Sequence, residues 1–389
     1  MNLTEIRAQI DALDAELTAL LCRRLDLAGQ VAAYKAANGL PVLNEQREQQ
    51  VLEQVRADSD ARDTDGTGYA SANALVFQTM MDVSRALQHR RLSAGEALRK
   101  QLAEAAAREL LPADRARVVC AGRPAAYAHE AARRIFGTAC MPEFVTGFAD
   151  VVAAVRDGTA DYGVLPIENS STGSVNEVYD LIMANRFSIV AAVEVPVQHC
   201  LLARPGADPA KLKVVYSHHQ ALAQCADYIA AHGLEPRQYS NTAAAAEMVA
   251  HSTDNTLCAI ASETAGDIYG LDIIENNIQT VDNNCTRFIV IAAEAAIPAD
   301  ADKITMTFSI PHSTGSLYRI LSRFAMEGMN LTKIESRPIK SGEFEYVFYL
   351  DFEGNLRQPQ TVDLLCALSE ETRHFVFMGN YHEQTLPRT

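Results

Sequence analysis

The segment DYGVLPIENSSTGSV, Asp161 to Val175, decides how the fold of this chain is read. It begins as an apolar run, breaks at Pro166 and then presents Glu168, Asn169, Ser170, Ser171 and Thr172. Gly173 follows, and a helical pattern starts at Val175. A strand that ends in a polar, Gly-containing turn ahead of a helix is where α/β sheets hold ligands. The same pattern also describes a plain loop whose hydroxyls cap the next helix. By itself the segment sets the fold class and leaves function open.

Outward from it, short apolar strands alternate with helical patterns. Strands are expected at 118–121, 161–167, 188–197, 213–216, 257–261 and 288–292. Helices are expected at 128–136, 147–156, 175–185, 220–232 and 242–251. This predicts an α/β domain over 115–293. Its polar clusters fall at strand ends: Pro166 to Ser170, Tyr216 to Gln220, Asn241-Thr242, and Asn283-Asn284-Cys285-Thr286-Arg287-Phe288. Each alone is a cap or a turn. Together they describe a cleft.

The bulk properties narrow the partners. A chain of 389 residues is too long for one ordinary core. Its net charge of −15 argues against a nucleic acid or an anionic membrane as partner. An acidic protein that binds an anion needs a few focused cations. The N-terminus enters an amphipathic pattern directly, with no signal-peptide core and no membrane-length apolar run. The eight cysteines are scattered without a CxxC pair, which reads as reduced cytosolic thiols and no zinc site.

Leu3, Ile6, Ile10, Leu13, Leu17, Leu20 and Val31 recur at helical spacing, with no Gly before Gly29 and no Pro before Pro41. One helix over 3–37 is expected, then helices over 44–57 and 69–92, and a helical connector over 93–117. Three elements cannot bury so long a helix, so the module over 1–93 is expected to dimerise. Arg24 and Lys35 are 11 residues apart (35 − 24), on nearly the same face and roughly 16 Å apart. They can close on the two ends of one small dianion. Arg7 lies on another face, about 25 Å from Arg24, and reaches that site only from an antiparallel partner helix. Taken singly, each is a solvated surface cation.

Beyond the small, acidic linker EAAIPADAD, the order strand (303–310), helix (316–327), strands (330–337 and 344–352), helix (362–368), strand (373–378) predicts a ferredoxin-like α+β domain over 302–389.

Arg7, Arg24, Lys35, Arg47, Glu48, Ser84 and Gln88 resemble, in order and spacing, the active-site set of the all-helical chorismate mutases, which form an intertwined dimer. The resemblance implies that Lys35, Gln88 and Glu48 are catalytic. Lys35 and Gln88 would donate to the breaking ether oxygen, and Glu48 would accept from the substrate hydroxyl. Arg7, Arg24, Arg47 and Ser84 would hold the substrate. Asn44 stands where such relatives carry Asp. A pericyclic rearrangement needs no nucleophile, only conformer selection and stabilisation of growing negative charge.

The polar clusters of the middle domain, with YGLDIIENNIQ (269–279) ahead of Thr286-Arg287-Phe288, look like prephenate dehydratase. That family has two subdomains arranged like a periplasmic binding protein. The resemblance carries over Thr286 as the essential hydroxyl, with Glu168 in a relay. It makes Asn169, Ser170 and Gln220 substrate-side residues and Arg287 a carboxylate or structural partner. Two departures stand out. Gly122-Arg123-Pro124-Ala125-Ala126-Tyr127-Ala128 lacks a Gly and two hydroxyls of the family's opening loop, and His219 replaces a Pro. Ala125 is not expected to take the φ > 0 that a Gly permits, and Arg123 adds a cation there. Gly315-Ser316-Leu317 and Glu335-Ser336-Arg337-Pro338 resemble the effector motifs of the phenylalanine-binding ACT domain.

The three modules together resemble the bifunctional chorismate mutase/prephenate dehydratase (P-protein) family. This implies a cytoplasmic enzyme with chorismate and prephenate as substrates, L-phenylalanine as inhibitor, no cofactor or metal, and a homodimer or larger homo-oligomer. Two alternatives remain: an active mutase fused to a degenerate or altered prephenate-binding domain, and a non-catalytic amino-acid sensor.

Overall fold

The computed structural model describes residues 2–64, 66–92, 95–111, 114–280, 284–338 and 346–386. Ser93, Asn283, Phe344 and Thr389, which bound expected segments or motifs, lie outside the described residues. Four helices come first: α1 (Leu3–Ala37), α2 (Glu45–Asp60), α3 (Tyr69–Leu92) and α4 (Glu96–Ala107). The middle region runs β1 (Val118–Ala121), α5 (Tyr127–Phe136), β2 (Glu143–Val145), α6 (Phe148–Arg156), β3 (Tyr162–Asn169), β4 (Gly173–Ser174), α7 (Asn176–Asn185), β5 (Ser188–Pro196) and β6 (Cys200–Ala203). It continues with β7 (Val214–Ser217), α8 (His219–Gln224), α9 (Ala226–Ala231), β8 (Glu235–Gln238), α10 (Thr242–His251), β9 (Leu257–Ala261), α11 (Glu263–Tyr269), β10 (Asp272–Glu275) and β11 (Cys285–Ala292). The chain closes with β12 (Lys303–Ser309), α12 (Ser316–Met326), β13 (Leu331–Pro338), β14 (Tyr346–Glu353), α13 (Pro359–Glu371), β15 (Arg373–Tyr381) and β16 (Glu383–Gln384).

The compact units do not follow three consecutive segments. Met1–Glu104 cluster with Ile304–Phe377, and Ala105–Lys303 cluster with Met378–Thr389. In the first unit, α3 packs against α1 and α2 and also against α12 and α13. Asn2 opens α1 through a capping box with Glu5, and the helix then runs uninterrupted to Ala37. Its apolar stripe stays in solvent, with Leu3 62% and Leu17 61% exposed. The C-terminal sheet has the order β13-β14-β12-β15, the ferredoxin-like arrangement with β13 at the edge.

The second unit has two sheets. One has the order β16-β5-β11-β3-β1-β2 with β4 on β3; the other is β10-β6-β9-β7-β8. The DYGVLPIEN run is β3, inside the first sheet, parallel to β1 and antiparallel to β11. Gly163 is required there by close approach. A Cβ at that position would meet Val151 at 2.7 Å, Ile291 at 3.0 Å and Val155 at 3.1 Å, so its absence lets α6 seat on the sheet. Val118, Val164, Val193, Phe288 and Val290 form the core of this layer.

Several details differ from the sequence reading. The single helix expected over 220–232 is two helices broken at Cys225. β6, β8 and β10 complete a second sheet that the strand pattern left thin. The C-terminal strand pairs β16 with β5 and so belongs to the middle sheet.

Candidate active sites

The first site is built on three helices. Arg24, Leu27, Ala28, Val31 and Lys35 come from one face of α1. Val42, Asn44, Arg47, Glu48 and Val51 come from the α2 end, and Met81, Ser84, Arg85 and Gln88 from α3. Together they line a pocket of about 380 Å³. Arg24 and Lys35 share it, as their spacing predicts. Arg7 does not line it and lies exposed on the outer part of α1.

Each side chain here has an identifiable holder. Arg24 donates to Ser84 Oγ at 3.0 Å, and Ser84 itself donates back to the Met80 carbonyl. Lys35 Nζ donates to the Val42 carbonyl. Asn44 caps α2, its Oδ1 accepting from the Arg47 N–H at 3.0 Å. Asn and Asp serve that role equally, so the departure from Asp keeps the cap. Burial lowers the proton affinity of Arg24 and of Lys35, with the Glu48 charge opposing it in both. Gln88 is 7% exposed, and its Oε1 has no partner among the described residues. Arg85 stands outside the set expected from the sequence. It lines the pocket and pairs with Glu48.

The second site opens between the two sheets of the middle region, a pocket of about 350 Å³. Asn169 and Thr286 enter it from the first sheet, and His218, Gln220 and Thr242 from the second sheet's helices. Tyr127, Thr172, His199, Gln224, Ser240, Asn241 and Asn284 add to the polar lining. Asn169 is the hub. Its Oδ1 accepts from the Ser171 and Thr172 backbone N–H groups at 3.0 and 3.1 Å. Those groups can only donate, which fixes the amide's orientation. Its Nδ2 donates to Thr286 Oγ1 at 2.9 Å and to Asn284 Oδ1 at 2.8 Å.

Not all of the expected residues meet there. In the β3–β11 register Asn169 faces Thr286, and Glu168 faces Arg287 one position on. Successive side chains alternate faces, so the second pair points away, and neither Glu168 nor Arg287 lines the pocket. The Arg287 guanidinium pairs with Glu383 and donates to Tyr381 Oη at 2.8 Å. Ser170 clamps the neighbouring strand instead, its Oγ accepting from the Cys285 N–H at 2.9 Å. Cys285 is half-buried, and burial, followed by the Glu194 charge, pushes its thiol up to about 11, so it is protonated and inert at neutral pH.

The altered loop folds in a way the sequence did not suggest. Ala125 does take a positive φ, +69°. Its N–H donates to His129 Nδ1 at 3.1 Å, and its carbonyl accepts from Ser262 Oγ at 3.2 Å. Its methyl is packed in the apolar cluster of the second sheet. Arg123 pairs with Glu247 on a different groove and does not line the cleft. Among the described residues no Arg or Lys lines this cleft, where focused cations are expected. Both lining histidines are disfavoured as cations by burial: for His199 a Gln224 hydrogen bond opposes this, and for His218 the charge of His219 adds to it.

The N-terminus of α12 starts at Gly315, φ +80°, and Ser316 is buried against Ser313. Glu335, Ser336, Arg337 and Pro338 lie on edge strand β13, a different element. Among the described residues no group of three His, Cys, Asp or Glu could hold a metal, and no helix is long and apolar enough to cross a membrane.

Residues 6–89 match the family described as chorismate mutase type II, and residues 118–296 match prephenate dehydratase. A bifunctional chorismate mutase/prephenate dehydratase of Enterobacter agglomerans is 31% identical over 99% of this chain and 97% of its own. Among solved structures, a prephenate dehydratase from Arthrobacter aurescens in complex with L-Phe superposes with a TM-score of 0.61 at 29% identity, covering 68% of this chain and 89% of its own. A protein described as a novel type of quorum quenching acylase gives 0.62 at 31% identity, over 69% and 98%. With both enzyme domains matched and the likeness spanning almost the whole length, this chain belongs to the bifunctional chorismate mutase/prephenate dehydratase family.

Proposed function

We propose that the helical pocket rearranges chorismate to prephenate and that the cleft between the two sheets converts prephenate to phenylpyruvate. The convergence of Arg24, Lys35, Arg47, Glu48, Ser84 and Gln88 on one pocket carries the first half. Arg24 and Arg47 clamp the substrate carboxylates, as guanidinium forks do. Lys35 and the Gln88 amide donate to the ether oxygen as charge grows on it, and Glu48 accepts from the ring hydroxyl. Arg7 completes the clamp from a second copy. The exposed apolar stripe of α1 supports that dimer, since so wide an apolar face is stable only when covered.

In the cleft, Thr286 Oγ1 already accepts from Asn169, so its own proton is free to point at the substrate. Thr286 donates to the departing ring hydroxyl, and Gln220, Asn169 and the N–H groups opening α10 hold the carboxylates. The ring carboxylate leaves as carbon dioxide and its electron pair passes into the ring, while the hydroxyl takes up one solvent proton by way of the Thr286 hydroxyl and leaves as water, with aromatisation as the driving force. A relay through Glu168 is not part of this proposal, because its side chain faces the other side of the strand. L-Phenylalanine acts as feedback inhibitor through the C-terminal ferredoxin-like domain, read as an ACT domain. Its effector residues are Gly315, Ser316 and Leu317 at one helix start and Glu335 to Pro338 on an edge strand open to a partner. The functional segments are 1–93, 115–293 and 302–389. The scattered free cysteines support a cytoplasmic enzyme.

Purified protein given chorismate, and separately prephenate, is expected to yield phenylpyruvate from both, less so with L-phenylalanine. Prephenate accumulating from chorismate with no phenylpyruvate leaves the mutase and removes the dehydratase. Mixing Arg7→Ala and Arg24→Ala chains tests the shared site. Mutase activity returns if each dimer can assemble one intact pocket, and stays absent if each chain works alone.

A further inference from the structure

The buried cation Arg85 is the feature of the first unit that the expected active-site set leaves unused. It is 5% exposed, lines the helical pocket, and meets three carboxylates. One terminal nitrogen pairs with Glu48 and the other with Asp82, which is 2% exposed, while Nε faces Glu371 at 3.9 Å. Glu371 ends α13 in the C-terminal part of the unit. It also pairs with Arg323 of α12, and His89 Nε2 lies 3.0 Å from it. Arg323 is 3% exposed and donates to the Asp82 carbonyl at 3.1 Å. Four elements are thus joined: α2 through Glu48, α3 through Asp82, Arg85 and His89, α12 through Arg323, and α13 through Glu371.

We propose that the C-terminal domain is a working part of the mutase site: Arg85 is a positioning residue that holds the Glu48 carboxylate, and Glu371 with Arg323 holds Arg85. This rests on the reading of the helical pocket as the mutase site.

The physical case is one of charge. A guanidinium this deeply buried is tolerable only with counter-charges fixed around it. Glu48 uses one oxygen on Arg85, which locks the side chain and leaves the other oxygen for a substrate hydroxyl. Glu371 stands between two buried guanidinium groups, so removing its charge sets Arg85 and Arg323 against each other. Burial alone would raise Glu371. The His89 hydrogen bond and the Arg323 and Arg85 charges outweigh it and hold the carboxylate low and ionised. Arg323 sits seven residues beyond Ser316, about two turns along α12. Events at that helix start therefore reach the mutase site through one rigid element.

The test uses the full-length chain, and because the prephenate-to-phenylpyruvate cleft lies in the other compact unit, the fold of the first unit is checked for every variant by its helical circular dichroism and urea midpoint. Arg85→Met is expected to lower kcat on chorismate by about a hundredfold, the scale of a misplaced catalytic group, with KM changed far less. Arg85→Lys should recover part of it. Glu371→Gln should lower kcat by about tenfold, and adding Arg323→Gln should restore most of that loss, because a neutral pair is then removed as a whole. A purely structural role would lower the urea midpoint in step with mutase turnover and would show no restoration. Glu48→Gln is the reference. If it abolishes mutase turnover while Arg85→Met and Glu371→Gln keep it, positioning by Arg85 is wrong. If Glu48→Gln itself leaves turnover unchanged, the pocket reading fails and takes this proposal with it.

Discussion

Exchanging Asn169 for Asp isolates the chemistry of the cleft, since the two side chains have nearly the same shape. Asp keeps an oxygen where Oδ1 accepts the Ser171 and Thr172 N–H groups, so the turn after β3 is retained. The other arm changes from donor to acceptor, facing Thr286 Oγ1 at 2.9 Å and Asn284 Oδ1 at 2.8 Å. The Thr286 hydroxyl must then turn its proton toward the new carboxylate and away from the substrate. Losing one such donor costs about 10²–10³ in kcat. The new charge also repels a substrate carboxylate; at about 5 Å and an effective dielectric of 20 this is roughly 3 kcal/mol, or about another hundredfold. Together the dehydratase kcat/KM should fall by at least about 10³. The assay is phenylpyruvate formation from prephenate, with mutase turnover of chorismate in the same preparation as control. Dehydratase activity within tenfold of wild type would refute the role given to the Asn169–Thr286 pair.

Three further outcomes follow from the same geometry. Raising NaCl from 50 to 500 mM should raise KM for chorismate roughly threefold or more and KM for prephenate much less, because only the helical pocket relies on screenable Arg and Lys charges; equal shifts would show a hidden cation in the cleft. Ala125→Gly should change unfolding free energy by less than about 0.5 kcal/mol: relief of about 1–2 kcal/mol of left-handed strain is offset by a buried methyl and by glycine's unfolded-state entropy, and a urea-midpoint shift worth more than about 2 kcal/mol would contradict that balance. Burial, with the Arg133 charge adding to it, lowers the proton affinity of His129, whose Nδ1 must stay unprotonated to accept from Ala125. The unfolded chain therefore binds more protons just below pH 6.5, and stability should decline as pH falls through that window; His129→Asn, which keeps an acceptor, should flatten the decline, and an unchanged slope would exclude His129 as a source.

What could be read in advance was whatever is local. α1 needs only an uninterrupted 3.6-residue period and a cap, and both are written in residues 2–37. β1 and β9 are short apolar runs between breakers, and those breakers mark their ends. Position along a strand was harder. Glu168 and Asn169 are adjacent letters in a polar run, and only the register with β11 shows that one faces the cleft and the other faces Arg287. β8, Glu235-Pro236-Arg237-Gln238, is exposed along its length and carries no alternation to detect. His199 lies in a plain strand junction, and its place in the pocket depends on Gln224, Gln279 and Tyr127 arriving from elsewhere. Arg85 looks like any helix cation until Glu371 is brought to it across 286 positions (371 − 85). At Ala125 the local cost of a positive φ is legible in the sequence, whereas the burial of its methyl in the second sheet's cluster is a tertiary contact.

The contrast between the two pockets has a chemical reason. In the mutase reaction both carboxylates persist, so on the proposed reading ionic clamps on them hold substrate and transition state alike while Lys35 and Gln88 act on the ether oxygen where charge grows. In the dehydratase reaction one carboxylate leaves as neutral carbon dioxide. A guanidinium locked on that carboxylate would stabilise the ground state more than the transition state, in which its charge is flowing into the ring and toward the departing hydroxyl. Neutral donors such as Asn169, Gln220 and the start of α10 hold an anion less tightly and lose less when the charge departs. The absence of Arg and Lys from the described lining of the cleft agrees with that chemistry on the proposed reading. Arg287, one residue from Thr286, lies on the other face of the strand, where it pairs with Glu383, a carboxylate that Lys303 also holds.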